Sequence, residues 1–177
     1  MSTKTIWSID PSHSEITFKV KHLMISNVKG EFRTFSGSVE TLNNDFSNAR
    51  ATVEIDTASI FTNNDDRDNH LRSADFFDVA NHPVIRFSST AFIPSSDDEF
   101  ELKGMLNMHG MEKEISLKAE FGGITKDPWG REKAGFSISG SINRKDWGLN
   151  WNAALEAGGV LVGEEVKILA EVQLVKA

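Results

Sequence analysis

The sequence predicts an all-β fold, an eight-stranded antiparallel barrel with one short helical insertion. Three observations lead there. Apolar residues alternate with polar ones through about eight segments, the signature of strands with one dry and one wet face. Only Thr62 to Pro83 breaks that rhythm, with a dense run of charges. Strands that each carry one apolar face, with no helices to cover them, are better served by closure than by an open sheet, because closure removes exposed edges.

Trp7 to Asp10 predicts a short first strand ended by Pro11, after which Ile16, Phe18 and Val20 alternate with Thr17, Lys19 and Lys21. Phe32 and then Phe35, Gly37 and Val39 make the next strand, and their change of parity predicts a bulge near Arg33 and Thr34. Leu42 to Asn48 reads as a polar turn before Ala51, Val53 and Ile55. In the charged segment, Asn63 or Asn64 caps a first helical turn whose Asp65 and Asp66 suit the positive end of the helix dipole. Asp75 is expected to cap a second turn, and Pro83 forces His82 out of helical geometry. Leu71, Phe76, Phe77 and Val79 give the segment an apolar side, as a lid would have.

Beyond Pro83 the alternation resumes with Ile85, Phe87, Ser89, Ala91 and Ile93, closed by the turn Pro94 to Asp98. Phe100, Leu102, Gly104, Leu106 and Met108 turn around Gly110 into Ile115, Leu117, Ala119 and Phe121, a hairpin. A loop containing Gly122, Gly123, Pro128, Trp129 and Gly130 precedes Ala134, Phe136, Ile138, Gly140 and Ile142. Gly158 and Gly159 mark a turn before the last strand, which carries Val162, Val166, Ile168, Ala170, Val172 and Leu174.

At 177 residues, with no linker and no fixed repeat, the expectation is a single domain over 1–177. Nineteen Lys plus Arg against twenty-six Asp plus Glu leave a net charge of −7, which argues against a nucleic-acid partner. The absence of cysteine removes disulfides, thiolate zinc sites and a cysteine nucleophile. Neither a signal-peptide core nor an 18-residue apolar window occurs, so the expectation is a soluble cytoplasmic protein, not an integral membrane one.

The inward parity places a very small residue near the middle of nearly every strand: Gly37, Ala51, Ala91, Gly104, Ala119, Gly140 and Ala170. An eight-stranded barrel can be filled by side chains or hold one small ligand, and these residues serve either reading, as room or as bends in a packed wall. A hollow would be lined by Ile16, Phe18, Val20, Phe32, Phe35, Val53 and Ile55 in the first half of the chain. Phe87, Leu106, Met108, Phe136, Ile138 and Ile168 follow in the second half, with Leu71, Phe76 and Phe77 from the lid. Such a lining cannot satisfy a sugar or a nucleotide. It suits a lipid tail, each buried methylene contributing about 0.8 kcal/mol.

Catalytic and metal patterns are weak. Asn64, Asp66, Asp68 and Asp75 are spaced like a calcium loop, but Asn69 stands where glycine is required and Asp75 where glutamate gives bidentate ligation. The five histidines form no His-x-x-x-His pair, and no Gly-x-Ser-x-Gly occurs. Asp68, His70 and Asp75 offer acid-base chemistry on a bound lipid, or a hydrogen-bonded brace for the lid. Arg144 to Trp151 joins Trp147 and Trp151 to two cations, suiting a cavity mouth or a structural turn.

Trp7-Ser8-Ile9-Asp10-Pro11-Ser12-His13-Ser14, running into Phe18-Lys19-Val20-Lys21-His22, resembles the opening of YceI-like polyisoprenoid-binding proteins. Gly30-Glu31-Phe32, Phe35-Ser36-Gly37, the long stretch Arg67 to Asp78 and Arg144 to Gly148 resemble the family's later signatures. The resemblance implies an elongated lipocalin-like barrel with a helical insertion and an apolar tunnel for a long isoprenoid chain, such as a quinone tail or polyprenyl phosphate. The resemblance also implies that many members are exported, whereas with no leader read at this N-terminus the expectation here is a cytoplasmic location. The resulting expectation is a non-catalytic binder or carrier of an isoprenoid or similar amphiphilic lipid, needing no cofactor beyond such a guest, an isoprenoid lipid or a quinone. Arg67, His70, Arg144, Trp147 and Trp151 stand as candidates around the polar head. A lipid-modifying enzyme and a filled barrel acting as a homodimeric interaction module are the alternatives.

Overall fold

The computed structural model describes residues 3–152 and 161–177. The turn expected at Gly158 and Gly159 lies outside them. Among the described residues, strands β1 (Lys4–Ile9), β2 (Glu15–His22), β3 (Ser26–Phe32), β4 (Phe35–Leu42), β5 (Asp45–Asp56) and β6 (Ile60–Phe61) precede the helix α1 (Asp65–Arg72). Strands β7 (Val84–Pro94), β8 (Glu99–Met108), β9 (Met111–Lys126), β10 (Glu132–Asn143) and β11 (Val162–Lys176) follow it.

Every pairing is antiparallel, and the sheet closes. The circuit runs β1-β4-β5-β7-β8-β9-β10-β11 and returns to β1 through Trp7↔Lys176 and Ile9↔Leu174. The eleven segments are therefore eight walls. Higher up the barrel β2 takes over from β1 against β11, with Glu15↔Glu171 and Val20↔Val166, while β3 prolongs β4 and β6 prolongs β5. The three walls break at Asp10–Ser14, Arg33–Thr34 and Thr57–Ser59, and the second is the interruption that the parity change at Phe35 predicts.

The first break is pinned by Asp10. Its carboxylate accepts from the Ser12 amide (3.0 Å) and hydroxyl (2.7 Å), and from Lys133 (3.4 Å) on β10, while its own amide donates to Gln173 (2.8 Å) on β11. Hydrogen bonds from Ser12 and then His13 hold this carboxyl well below the usual carboxylate range.

Four local expectations are corrected. Leu42 to Asn48 is a tight turn at Asn43–Asn44 followed by strand, and Phe46 and Ala49 within it are buried. Asn48, at φ +63°, hosts the irregularity that brings both Phe46 and Ala49 inward. A bulge at Thr90 reverses parity on β7, so Phe92 points into the core and Ile93 is 46% exposed. Ala91, opposite the outer-face Lys103, leaves the inner row. Gly122 and Gly123 form a bulge inside β9, which continues to Lys126, because Gly135 pairs Gly123 while Phe136 pairs Phe121. Finally, α1 is one short helix capped by Asn64, which accepts from the Arg67 amide (3.0 Å), and ends at Ser73. Asp75 caps no second helix, since the chain from Ser73 to His82 runs through turns.

The lower end, where β1 starts and β4 turns into β5, is closed by aromatic rings. Trp7, fully buried, lies 5.2 Å from Phe46, which lies 5.1 Å from Phe136 and 5.5 Å from Phe121. The Trp7 indole N–H finds Thr41 Oγ1 at 3.1 Å, which satisfies the one polar atom in this floor.

Candidate functional site

Above that floor the barrel encloses a cavity of about 680 Å³. Its wall is supplied by inward strand positions: Ile16, Phe18 and Val20 of β2, Val53 and Ile55 of β5, Leu106 and Met108 of β8, Ile138 of β10 and Ile168 of β11. The small residues divide by role. Ala51, Ala119 and Ala170 line the hollow, whereas Gly37, Gly104 and Gly140 lie beneath their neighbours' side chains. A Cβ on Gly104 would occupy the Phe87 ring, and one on Gly30 the Phe18 ring. Gly30 and Gly104 thus each let an aromatic side chain lie against the wall rather than across the middle, while Gly37 and Gly140 make room for Ile9 and Leu117.

Polar lining gathers at the upper end: Lys21 and His22 from β2, Asn64, Asp66, Arg67 and His70 from the α1 region, and Arg144 with Trp151 from the turn after β10. His70 Nε2 meets Asp75 Oδ2 at 2.9 Å, and its ring stands edge-on to Phe76 (5.1 Å) and Trp151 (4.6 Å). Asp68 is buried and accepts from the Thr62 amide (2.9 Å) and hydroxyl, so it stitches α1 to β6 and makes no bond to His70. Arg67 donates to the Thr62 hydroxyl (2.7 Å) and carbonyl (2.6 Å).

Arg144 is only 3% exposed. It donates to the carbonyls of Gly163 (2.8 Å), Leu149, Trp151 (2.9 Å) and Val162 (3.3 Å), tying the turn after β10 to the start of β11. Burial pushes its pKa down, with Glu164 opposing. Among the described residues neither Arg67 nor Arg144 is in an ion pair, so both bring positive charge to the mouth held by neutral oxygens. No group of three or more His, Asp or Glu among the described residues is placed to hold a metal. The residues spaced like a calcium loop are helical from Asp65 to Arg72, which prevents them from wrapping an ion.

The YceI-like domain pattern matches residues 7–174, nearly the whole chain. The chain belongs to the YceI-like family. The YceI-like protein is 41% identical over 170 residues to UPF0312 proteins of Staphylococcus epidermidis and Staphylococcus aureus, covering 96% of each chain. Among solved structures it is similar to the Campylobacter jejuni YCEI protein, at 32% identity, TM-score 0.76 and 88% coverage of both chains. It shares its fold with Burkholderia cenocepacia BcnA, at TM-score 0.79 and 19% identity, covering 93% of this chain and 98% of that one. A polyisoprenoid binding domain from Saccharophagus degradans has the same fold, at TM-score 0.71 and 15% identity over 97% and 98% of the two chains.

In this YceI-like barrel every lining residue expected from parity borders the cavity except Phe35, and every expected mouth residue does except Trp147. Phe35 starts β4 directly after the Arg33–Thr34 break and is only half-buried; sharing parity with Ile55 does not bring it to the hollow. Trp147 is buried behind the wall, its indole N–H spent on the Leu106 carbonyl at 2.9 Å. Of the acid-base set, His70 and Asp75 meet and Asp68 stands apart. Phe46 and Phe92 line the cavity unforeseen, because bulges hide their parity; Val28 was missed because β3 begins at Ser26, six residues before Phe32.

Proposed function

We propose that this protein binds a long-chain isoprenoid or similar amphiphilic lipid, tail down in the barrel and head at the α1 end, and carries or sequesters it without chemical change. The observation that supports this is a continuous apolar cavity, floored by aromatic rings and rimmed at one end by polar side chains. At about 30 Å³ per water-sized group the hollow takes roughly 20 chain atoms. Burying that many methylenes yields about 16 kcal/mol. This exceeds the cost of association, about 4–15 kcal/mol, without a hydrogen bond to the tail. The fold shared with a polyisoprenoid binding domain supports the same reading. A quinone ring or a prenyl phosphate would sit near Arg67, His70 and Trp151.

Native mass spectrometry after gentle purification, with organic extraction of the same sample, should recover a chain-like lipid. Persistent absence of any ligand, together with no uptake of a quinone or a fluorescent fatty acid, would sink the proposal.

A further inference from the structure

The β2–β3 hairpin carries the apolar run Leu23-Met24-Ile25 at the rim of the cavity. Leu23 is 38%, Met24 50% and Ile25 83% exposed. The neighbouring Lys21, His22, Val28 and Leu161 line the opening, and the Leu23 amide donates to the Leu161 carbonyl at 2.8 Å. The turn is closed by the Ile25 amide on the His22 carbonyl (3.2 Å), with Leu23 at φ +54° and Met24 at φ +61°. Asn and Gly adopt that backbone at little cost; leucine and methionine are strained in it. Strain kept for the sake of three apolar side chains in water points to a use for them.

A second observation lies beside the tip. Lys167 of β11 pairs with Lys19 of β2, which pairs with Lys29 of β3, so three like charges stand in a row across adjacent strands. Such a row opposes sheet formation. Among the described residues neither these lysines nor Lys21 is in an ion pair; of the nearby carboxylates Glu31 is held by Arg33 (3.1 Å) and Glu164 by Lys145 (2.7 Å), which leaves exposed Glu165, two positions before Lys167 on the same face of β11, as one negative charge against four lysines. With a net charge of −7 the protein as a whole is repelled by an anionic surface, so this corner is where one can approach.

We infer that the β2–β3 corner docks the protein on an anionic lipid bilayer, the Leu23-Met24-Ile25 tip entering the interface and Lys19, Lys29 and Lys167 meeting the head groups. The inference takes its purpose from the lipid-binding reading, since docking there sets the cavity mouth against the bilayer from which a tail would slide. Its test needs no bound ligand.

Co-sedimentation with phosphatidylcholine vesicles, and with vesicles containing phosphatidylglycerol, reads it directly. Binding is expected to the anionic vesicles only and to fall with salt. K19Q/K29Q/K167Q should bind about 100-fold more weakly, on the scale for basic residues near an anionic surface. M24S/I25S should weaken binding at least about tenfold, from the lost burial of two apolar side chains. Uptake of a fluorescent fatty acid without vesicles reads the cavity separately and should be unchanged in both variants. Equal binding to neutral and anionic vesicles, or variants that sediment like the wild type, would overturn the docking whether or not the cavity takes up lipid. So would a dimer that M24S/I25S dissolves, which would assign the tip to a second copy of the chain.

Discussion

Substituting Ala51→Phe should act as a stop at the closed end of the cavity. Ala51 lines the hollow on β5, opposite Val39, which in turn faces Trp7 of the aromatic floor. Phenylalanine adds six heavy atoms to this position, which at about 30 Å³ each remove roughly 180 Å³. That is about a quarter of the 680 Å³ available. A chain whose head is held at the α1 end then loses its last six or so methylenes, up to about 5 kcal/mol or roughly three orders of magnitude in affinity. Chains of about 14 carbons or fewer end short of the new ring and should bind as before. Because the added side chain fills space rather than displacing a packed neighbour, Tm should stay within about 3 °C of the wild type.

The assay is a titration series of prenyl alcohols or fatty acids of increasing length, with the lipid extracted from each purified protein as a second readout. Ala91→Phe serves as the control, since the bulge at Thr90 turns that position outward. A length profile that does not move in Ala51→Phe, or one in which short and long chains weaken equally, would refute both the floor and the tail-down orientation.

Arg144→Ala should cost about 3 kcal/mol or more in urea-unfolding stability, because it strands the carbonyls of Gly163, Leu149, Trp151 and Val162. Lysine cannot restore that fork and should rescue little of it. Asp10→Ala should destabilise by about 1–2 kcal/mol at neutral pH through the lost cap. The Asp10 pKa is depressed on folding, so its contribution is fully present above the unfolded value of 3.8 and is lost as pH falls through the folded one; the urea midpoints of the variant and wild type should therefore draw steadily together as pH falls below 3.8. Leu23→Asn with Met24→Gly should raise stability by about 1–2 kcal/mol by relieving two positive-φ residues, read as an upward shift in the urea midpoint.

The alternation of residues made the barrel legible, and with it most of the lining, because a half-buried strand has to write its inner face at every second position. Legibility failed where the period slipped. Phe46 and Phe92 fell on the wrong parity by count and on the right one in space, since the irregularity around Asn48 and the single extra residue at Thr90 each shift the register. The β2–β3 turn left no trace in the sequence because it uses leucine and methionine where glycine or asparagine would announce it. Trp147 and Trp151, four positions apart, could not be told apart by type: one spends its indole N–H on Leu106 behind the wall, the other meets the His70 ring edge-on at the mouth.

The choice between a filled and a hollow barrel could not be made from the small residues because they do two jobs. Alanine at positions 51, 119 and 170 leaves space directly. Glycine at positions 30 and 104 yields its own space to Phe18 and Phe87, and in doing so draws a large ring toward the wall. A glycine read alone suggests a bend, and a phenylalanine read alone suggests filling. On adjacent strands the two together keep the centre open while retaining an aromatic surface for a tail to lie on, so the hollow is a property of cross-strand pairs rather than of any single inward residue.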